Sequence, residues 1–220
     1  MGIFDQLNFT PPENFFSLSP LEKIRLENFL LLQQEFLEVE RGSKVVVEER
    51  KNSEKSGRLR EVTFFNLPTP FLKVKLEQEG EGKGIFHSHL VAGGAKPEAV
   101  LVIEEGEKLI WVLVELKSGK VKGITGKFRN GFLSSFHLLN CFFDLSKYRR
   151  IKLIGIVCHQ VEECKEGKEI TQYHRLKRER LTFFSKTALP MEIHYFKIAG
   201  VKGGIDFREI KKSSYLSSGK

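Results

Sequence analysis

The stretch from Pro97 to Lys117, PEAVLVIEEGEKLIWVLVELK, constrains this chain more than any other. Two apolar runs rich in β-branched residues flank Glu105-Gly106-Glu107-Lys108, a pattern that predicts a tight β-hairpin. Closing the hairpin at Gly106-Glu107 fixes its register and sets Glu98 directly opposite Glu115. Opposed residues point to one face of a sheet, with Cβ atoms about 4.5–5.5 Å apart. Lys117 lies two residues beyond Glu115, so it shares that face. A slip of one residue would undo the alignment.

Two carboxylates facing one another across adjacent strands repel unless positive charge lies between them. Lys117 supplies one charge. A Mg²⁺ or Mn²⁺ ion would supply more, because hard cations take oxygen ligands and complete their shells with water and substrate phosphate. Such an ion lowers the pKa of its water and stabilises charge on a scissile phosphate, and a neighbouring ammonium stabilises the transition state. Glu98, Glu115 and Lys117 therefore make a coherent site for phosphodiester hydrolysis. The plain alternative is a salt bridge at the end of an ordinary hairpin.

The rest of the chain, 220 residues in all, has room for one α/β domain with a full core. An irregular arm is expected over 1–19, an α/β domain over 20–200 and a tail over 201–220, frayed from 211. Ser19-Pro20 reads as a helix start, with the helix running from Leu21 to about Val39 and Gly42 just past its end. Glu35 falls in the same arc of that helix as Leu21, Ile24, Asn28, Leu31 and Leu32. An inward carboxylate needs a partner or a metal, unless it sits at the rim and reaches water. Strands are expected at 44–48, 62–67, 71–76 and 85–91, with loops at 49–61 and 77–84. A helix is expected over 124–143, a buried strand over 151–159, a basic helix over 173–184 and a last strand over 191–199. This order argues for a mixed sheet with helices on its faces.

Thirty-six Lys and Arg against 28 Asp and Glu give a formal charge of +8, which suits a polyanionic partner. Cys141, Cys158 and Cys164 form no CxxC pair, so neither a disulfide framework nor a conventional zinc site is expected. No apolar run is long enough to span a bilayer and the opening MGIFDQLNF lacks the layout of a secretory signal, so a cytoplasmic protein with no membrane partner is expected. His87 with His89 read as packing or hydrogen-bonding residues, His137 with Cys141 as core or helix-surface residues and Cys158-His159 as packing, while Gly93-Gly94 before Lys96 reads equally as a turn or as a backbone approach to phosphate. The cation-dense run from His174 to Arg180 reads equally as a solvated helix face or a nucleic-acid contact.

Pro97-Glu98, the hairpin, and then Glu115-Leu116-Lys117 together resemble the PD-(D/E)XK nuclease superfamily, with Glu98 standing where the family usually has Asp. The resemblance implies an α/β fold, a mixed β-sheet flanked by helices with a restriction-endonuclease-like αβααβαβ core. It implies that Glu98 and Glu115 bind Mg²⁺ or Mn²⁺ with help from the Leu116 carbonyl, that Lys117 assists the attacking water, and that a carboxylate of the first helix joins them. Glu35 is the choice for that carboxylate and Glu38 the reserve. It further implies that the helix after the ELK strand faces substrate, pointing to Lys127 and Asn130, with Lys96, Lys120, Lys122 and Arg129 nearby as backbone contacts. The expected partner is nucleic acid, DNA rather than RNA, and a homodimer would suit cutting of both strands. A catalytically inactive nuclease-fold module that holds nucleic acid or a protein partner is the competing expectation.

Overall fold

The computed structural model describes residues 3–7, 17, 19–21, 23, 30, 33–49, 59–76, 95–118, 121–160, 170–183 and 187–216. In chain order its elements begin with a short helix α1 (Ile3–Gln6) and strands β1 (Leu37–Glu40), β2 (Val45–Glu48), β3 (Glu61–Phe65) and β4 (Phe71–Val74). The hairpin β5 (Ala99–Glu105) and β6 (Lys108–Lys117) follows, then helix α2 (Ile124–Phe142). The chain continues through β7 (Arg150–Gln160), β8 (Ile170–Phe183), β9 (Thr187–Ala199), β10 (Lys202–Asp206) and helix α3 (Phe207–Leu216).

The hairpin forms in the expected register, from Ala99↔Val114 to Glu105↔Lys108. Gly106 has φ 58°, and it stands at the first central position of the turn, where a type II′ hairpin requires the left-handed region. Around it assembles a seven-stranded mixed sheet in the order β1-β4-β5-β6-β7-β9-β8. The neighbours β6, β7 and β9 run parallel, and the other pairs are antiparallel. A second, three-stranded sheet has the order β10-β3-β2.

β6 is buried along nearly its whole length, as a strand covered on both faces must be. Its odd positions Leu109, Trp111 and Leu113 pack with Phe128, Phe132, Leu138 and Leu139 of α2. The even positions Ile110, Val112, Val114 and Leu116 pack on the opposite side with Val45, Val62 and Phe64 of the second sheet and with Phe207 and Ile210 of α3. Three layers result: α2, the large sheet, and the small sheet with α3. The α2 layer is fixed by Trp111, whose Nε1 donates to Ser135 Oγ at 3.0 Å and whose ring meets Phe132 edge-on at 5.3 Å.

Several expectations need correction. The chain is helical at 33–36 but enters strand β1 at Leu37, so the first helix stops short of Val39 and Gly42 follows a strand. Leu37-Glu38-Val39-Glu40 alternates at period two, which suits a strand on the sheet margin. The basic segment expected as a helix over 173–184 is strand β8. The segment expected as a tail forms β10, parallel to β3, and α3, and Ile205, Phe207 and Ile210 are buried. Asp206 caps that helix, accepting from the Arg208 backbone N–H at 3.0 Å. The described elements do not establish the αβααβαβ core. The α/β class with a mixed sheet stands. The expected strand at 85–91, the expected loop at 77–84 and Lys120 lie outside the described residues. No described helix is long and apolar enough to cross a membrane.

Candidate active site

The antiparallel ladder ends at Ala99↔Val114, and Glu98 is the bend residue directly before β5, outside the ladder that was expected to pair it with Glu115. Glu115 and Lys117 continue the odd positions of β6 and so face α2. Both stand at the carboxyl end of β6, where the parallel strands β6, β7 and β9 terminate together. That edge is where open α/β sheets present crevices for ligands.

Glu115 is fully buried. Its Oε1 accepts from Lys117 Nζ at 2.7 Å and from Lys127 Nζ at 2.5 Å. Its Oε2 is buried with no hydrogen-bond partner. Burial pulls the Lys117 ammonium down, but the hydrogen bond and charge of Glu115, with the Glu98 charge beside them, outweigh it and hold Lys117 above the ordinary lysine value. Glu98 therefore lies within electrostatic reach of Lys117, and it is half-buried.

Lys127 reaches this point because α2 packs very close to the hairpin. A Cβ on Gly131 would lie 2.6 Å from the Pro97 ring and 3.2 Å from Leu113, so only glycine permits the approach. Lys127 is one helical turn before Gly131 and shares its face. Gly155 of β7 does the same for Phe128, whose ring occupies the space a Cβ would fill.

The structure brings Glu115, Lys117 and Lys127 together, with Lys127 a second ammonium on Glu115, and leaves Glu98 within electrostatic reach of Lys117. Leu116 buries its side chain on the opposite face, which leaves only its backbone carbonyl to the site. Glu35 is half-buried in the helical residues 33–36. No group of three His, Cys, Asp or Glu side chains placed to hold a metal occurs among the described residues, so Glu35 does not join Glu98 and Glu115 as a third carboxylate. The reserve, Glu38, lies on β1 and pairs with Lys73 at 3.8 Å and Lys75 at 3.6 Å. Lys96 is half-buried just ahead of Pro97, and Lys122 and Arg129 are exposed around the start of α2. Asn130 donates to the Ala95 carbonyl at 3.2 Å, which pins the chain entering Pro97-Glu98.

Sequence reasoning missed the neighbours of Lys117 across the sheet. The parallel registers set His159 of β7 beside Lys117, and Lys197 of β9 beside His159. His159 could have been found from its place where the apolar run of β7 ends, the position Lys117 occupies on β6, whereas Lys197, with Ile198 and Ala199 after it, carries no such mark.

No family model matches the sequence, and neither a curated protein nor a solved structure matches the chain.

Proposed function

We propose that the chain is a metal-dependent nuclease that hydrolyses phosphodiester bonds, in DNA before RNA, through Glu98, Glu115 and Lys117. The observation that carries this reading is Glu115: a carboxylate with no solvent exposure, Oε1 held by two ammoniums and Oε2 unpartnered. Leaving a buried acceptor unsatisfied costs about 1–3 kcal/mol, more when it is charged. The arrangement becomes intelligible if a ligand completes it. Carboxylate oxygens of Glu115 and Glu98, with the Leu116 carbonyl, are the donor set that Mg²⁺ or Mn²⁺ prefers. When bound, such an ion supplies an acidified water and charge stabilisation at phosphorus.

Each protein group then has a defined role. Lys127 fixes the Glu115 carboxylate from α2, so that Oε2 keeps its direction. Lys117 stays protonated through the neutral range, since its pKa is raised, and its ammonium orients the attacking water and meets charge on the phosphate. Glu98 closes the site from the bend just ahead of β5. The chain's formal charge of +8 favours capture of a polyanion.

A second reading has its own observation. Both lysines saturate Oε1, and no three-ligand group exists among the described residues. That is also what a catalytically inactive module would show if it kept the fold to hold nucleic acid or a protein partner. One pair of measurements separates the readings. Mn²⁺ should raise the melting temperature of the wild type, and Glu115→Ala should abolish the rise. In parallel, supercoiled plasmid, single-stranded DNA and RNA are incubated with Mn²⁺ or with EDTA. Cleavage should require the metal and should fall at least about a hundredfold in Lys117→Ala, the scale of losing one electrostatic catalytic group. Cleavage that persists undiminished in Lys117→Ala would remove the assignment, and an absence of both cleavage and metal stabilisation would select the binding module.

A further inference from the structure

The edge of the sheet beside Glu115 carries charge that the hydrolytic site does not use. Lys117, His159 and Lys197 are register partners on β6, β7 and β9. Val157 and Tyr195, two residues before His159 and Lys197, belong to the α2-side cluster, so all three side chains stand on the face that holds Glu115. β8 extends the row. The ring of His174 meets that of His159 at 5.9 Å, and the Arg175 guanidinium lies 4.5 Å above the Tyr195 ring. His174 and Arg175 are exposed, while His159 and Lys197 are half-buried. No ion pair among the described residues engages Lys197 or Arg175.

We propose that this row is a phosphate track, in which Lys197, Arg175, His159 and His174 hold the backbone of a nucleic-acid strand whose next phosphates pass Lys117. It rests on the nuclease reading only for where the strand leads, because the track itself is defined by its own residues. Three inter-strand steps of about 4.8 Å give it a length of about 14 Å. Lysine and arginine neutralise phosphates, and imidazole N–H groups donate to phosphate oxygens.

Neither a transition-metal site nor a guarded sheet edge fits the row as well. Paired imidazoles suggest a transition metal, but Lys197 and Arg175 stand beside them and no third ligand is present among the described residues. Cations on an edge strand guard it against aggregation, which accounts for charges on β8 but not for Lys197 and His159 on the interior strands β9 and β7. The imidazoles also register the uncompensated field. Burial, and then His174, Lys197 and Arg175, hold His159 below its ordinary value. Burial, Lys197 and Arg175 do the same to His174. An anion laid along the row would relieve that repulsion.

The test is fluorescence anisotropy of a short labelled single-stranded DNA in EDTA, where no metal-dependent cleavage interferes, across a salt series. Replacing two cations, Lys197→Gln with Arg175→Gln, should weaken binding about tenfold or more and flatten the log–log salt slope by about 1.4, two phosphates at about 0.7 each. Arg178→Gln with Arg180→Gln, an equal loss of charge on the same edge strand, should leave both quantities near wild type. Unchanged melting temperatures establish that both pairs fold. Wild-type affinity and slope in the Lys197/Arg175 variant would overturn the track. So would an equal loss in the Arg178/Arg180 variant, or displacement of the DNA by polyglutamate as effective as by unlabelled DNA, which would indicate an acidic protein partner. If the wild type shows no cleavage with Mn²⁺ but the Lys197/Arg175 pair still loses DNA, the track stands and the hydrolytic reading falls.

Discussion

At the scale of single residues, ionisable side chains are buried on both faces of the large sheet, and each charge state has a different origin. Glu115 shares its buried space with the ammoniums of Lys117 and Lys127, both within 2.7 Å of Oε1, so the cluster carries an excess cation before Glu98 is counted. Taking one partner out of a buried ion pair typically costs about 3–5 kcal/mol. Removal of Glu115 is worse in kind, because it leaves two ammoniums facing each other. His194, on β9, is also fully buried, but it lies on the opposite face, opposite Ile156 in register. Burial pushes its imidazole down to about 4, with Glu192 pulling upward and Lys152 reinforcing the fall. The unfolded imidazole keeps the ordinary value near 6.5, so between these two values the unfolded chain binds the extra proton. The contribution to stability is whole above pH 6.5 and is lost as pH falls toward 4, amounting to about 3 kcal/mol at 1.36 kcal/mol per pH unit. Urea denaturation at steps across this window should show the wild type losing more stability than His194→Gln. Parallel pH profiles for the two proteins would refute the assignment of that slope to His194.

Helices and strands set the distances within which those residues act, and the decisive contact is between α2 and the hairpin. Gly131 allows α2 to rest on Pro97, and a methyl group there would come within 2.6 Å of that proline ring. Gly131→Ala should therefore push α2 outward, loosening the Lys127–Glu115 pair, at a stability cost of about 1–3 kcal/mol for overpacking. Thermal melting reads the cost directly. Because Ala favours helix over Gly by about 1 kcal/mol, a variant as stable as wild type or more so would show that the contact is not tight. The hairpin is legible in the sequence because two continuous apolar, β-branched runs flank a Gly turn, and with both faces buried the turn alone fixes the register. Other elements are less so. Leu37-Glu38-Val39-Glu40 also satisfies the end of a helical pattern, and four residues cannot decide between the two periods. β8 misleads for another reason: as an edge strand it exposes Arg175, Lys177, Arg178 and Arg180, with a bulge between Tyr173 and Arg175 that breaks the alternation. Its aromatic and β-branched ends, Thr171 and Tyr173 at one side and Thr182 and Phe183 at the other, are the strand signal. Within the site, the acids and Lys117 follow from register alone, whereas the role of Lys127 depends on how closely a helix packs, and no spacing rule encodes that.

Across the whole molecule, the large sheet needs cover on both faces, and the two covers come from distant parts of the chain. α2 follows the hairpin directly, but the other face is closed by β2 and β3 from the first third and by β10 and α3 from the last residues described. β10 pairs parallel to β3 over five residues, Lys202↔Glu61 to Asp206↔Phe65, so the small sheet is completed only when the end of the chain returns. Ile205, Phe207 and Ile210 are at most 1% exposed. Burying each side chain of this kind is worth about 1.5–3 kcal/mol, roughly 5–9 kcal/mol for three, against a total stability of about 5–15 kcal/mol for a domain. A chain ending at Gly200 should therefore lose most or all of its cooperative unfolding transition, although every residue of the Glu98–Glu115–Lys117 site is retained. Circular dichroism melting is the measurement. A sharp transition within a few degrees of the full-length value would mean that the segment is an appendage. A broadened or absent one would mean that the edge carrying Glu115 and Lys117 is held in place by residues on the far side of the sheet, through the strands β6 and β7 that both layers share.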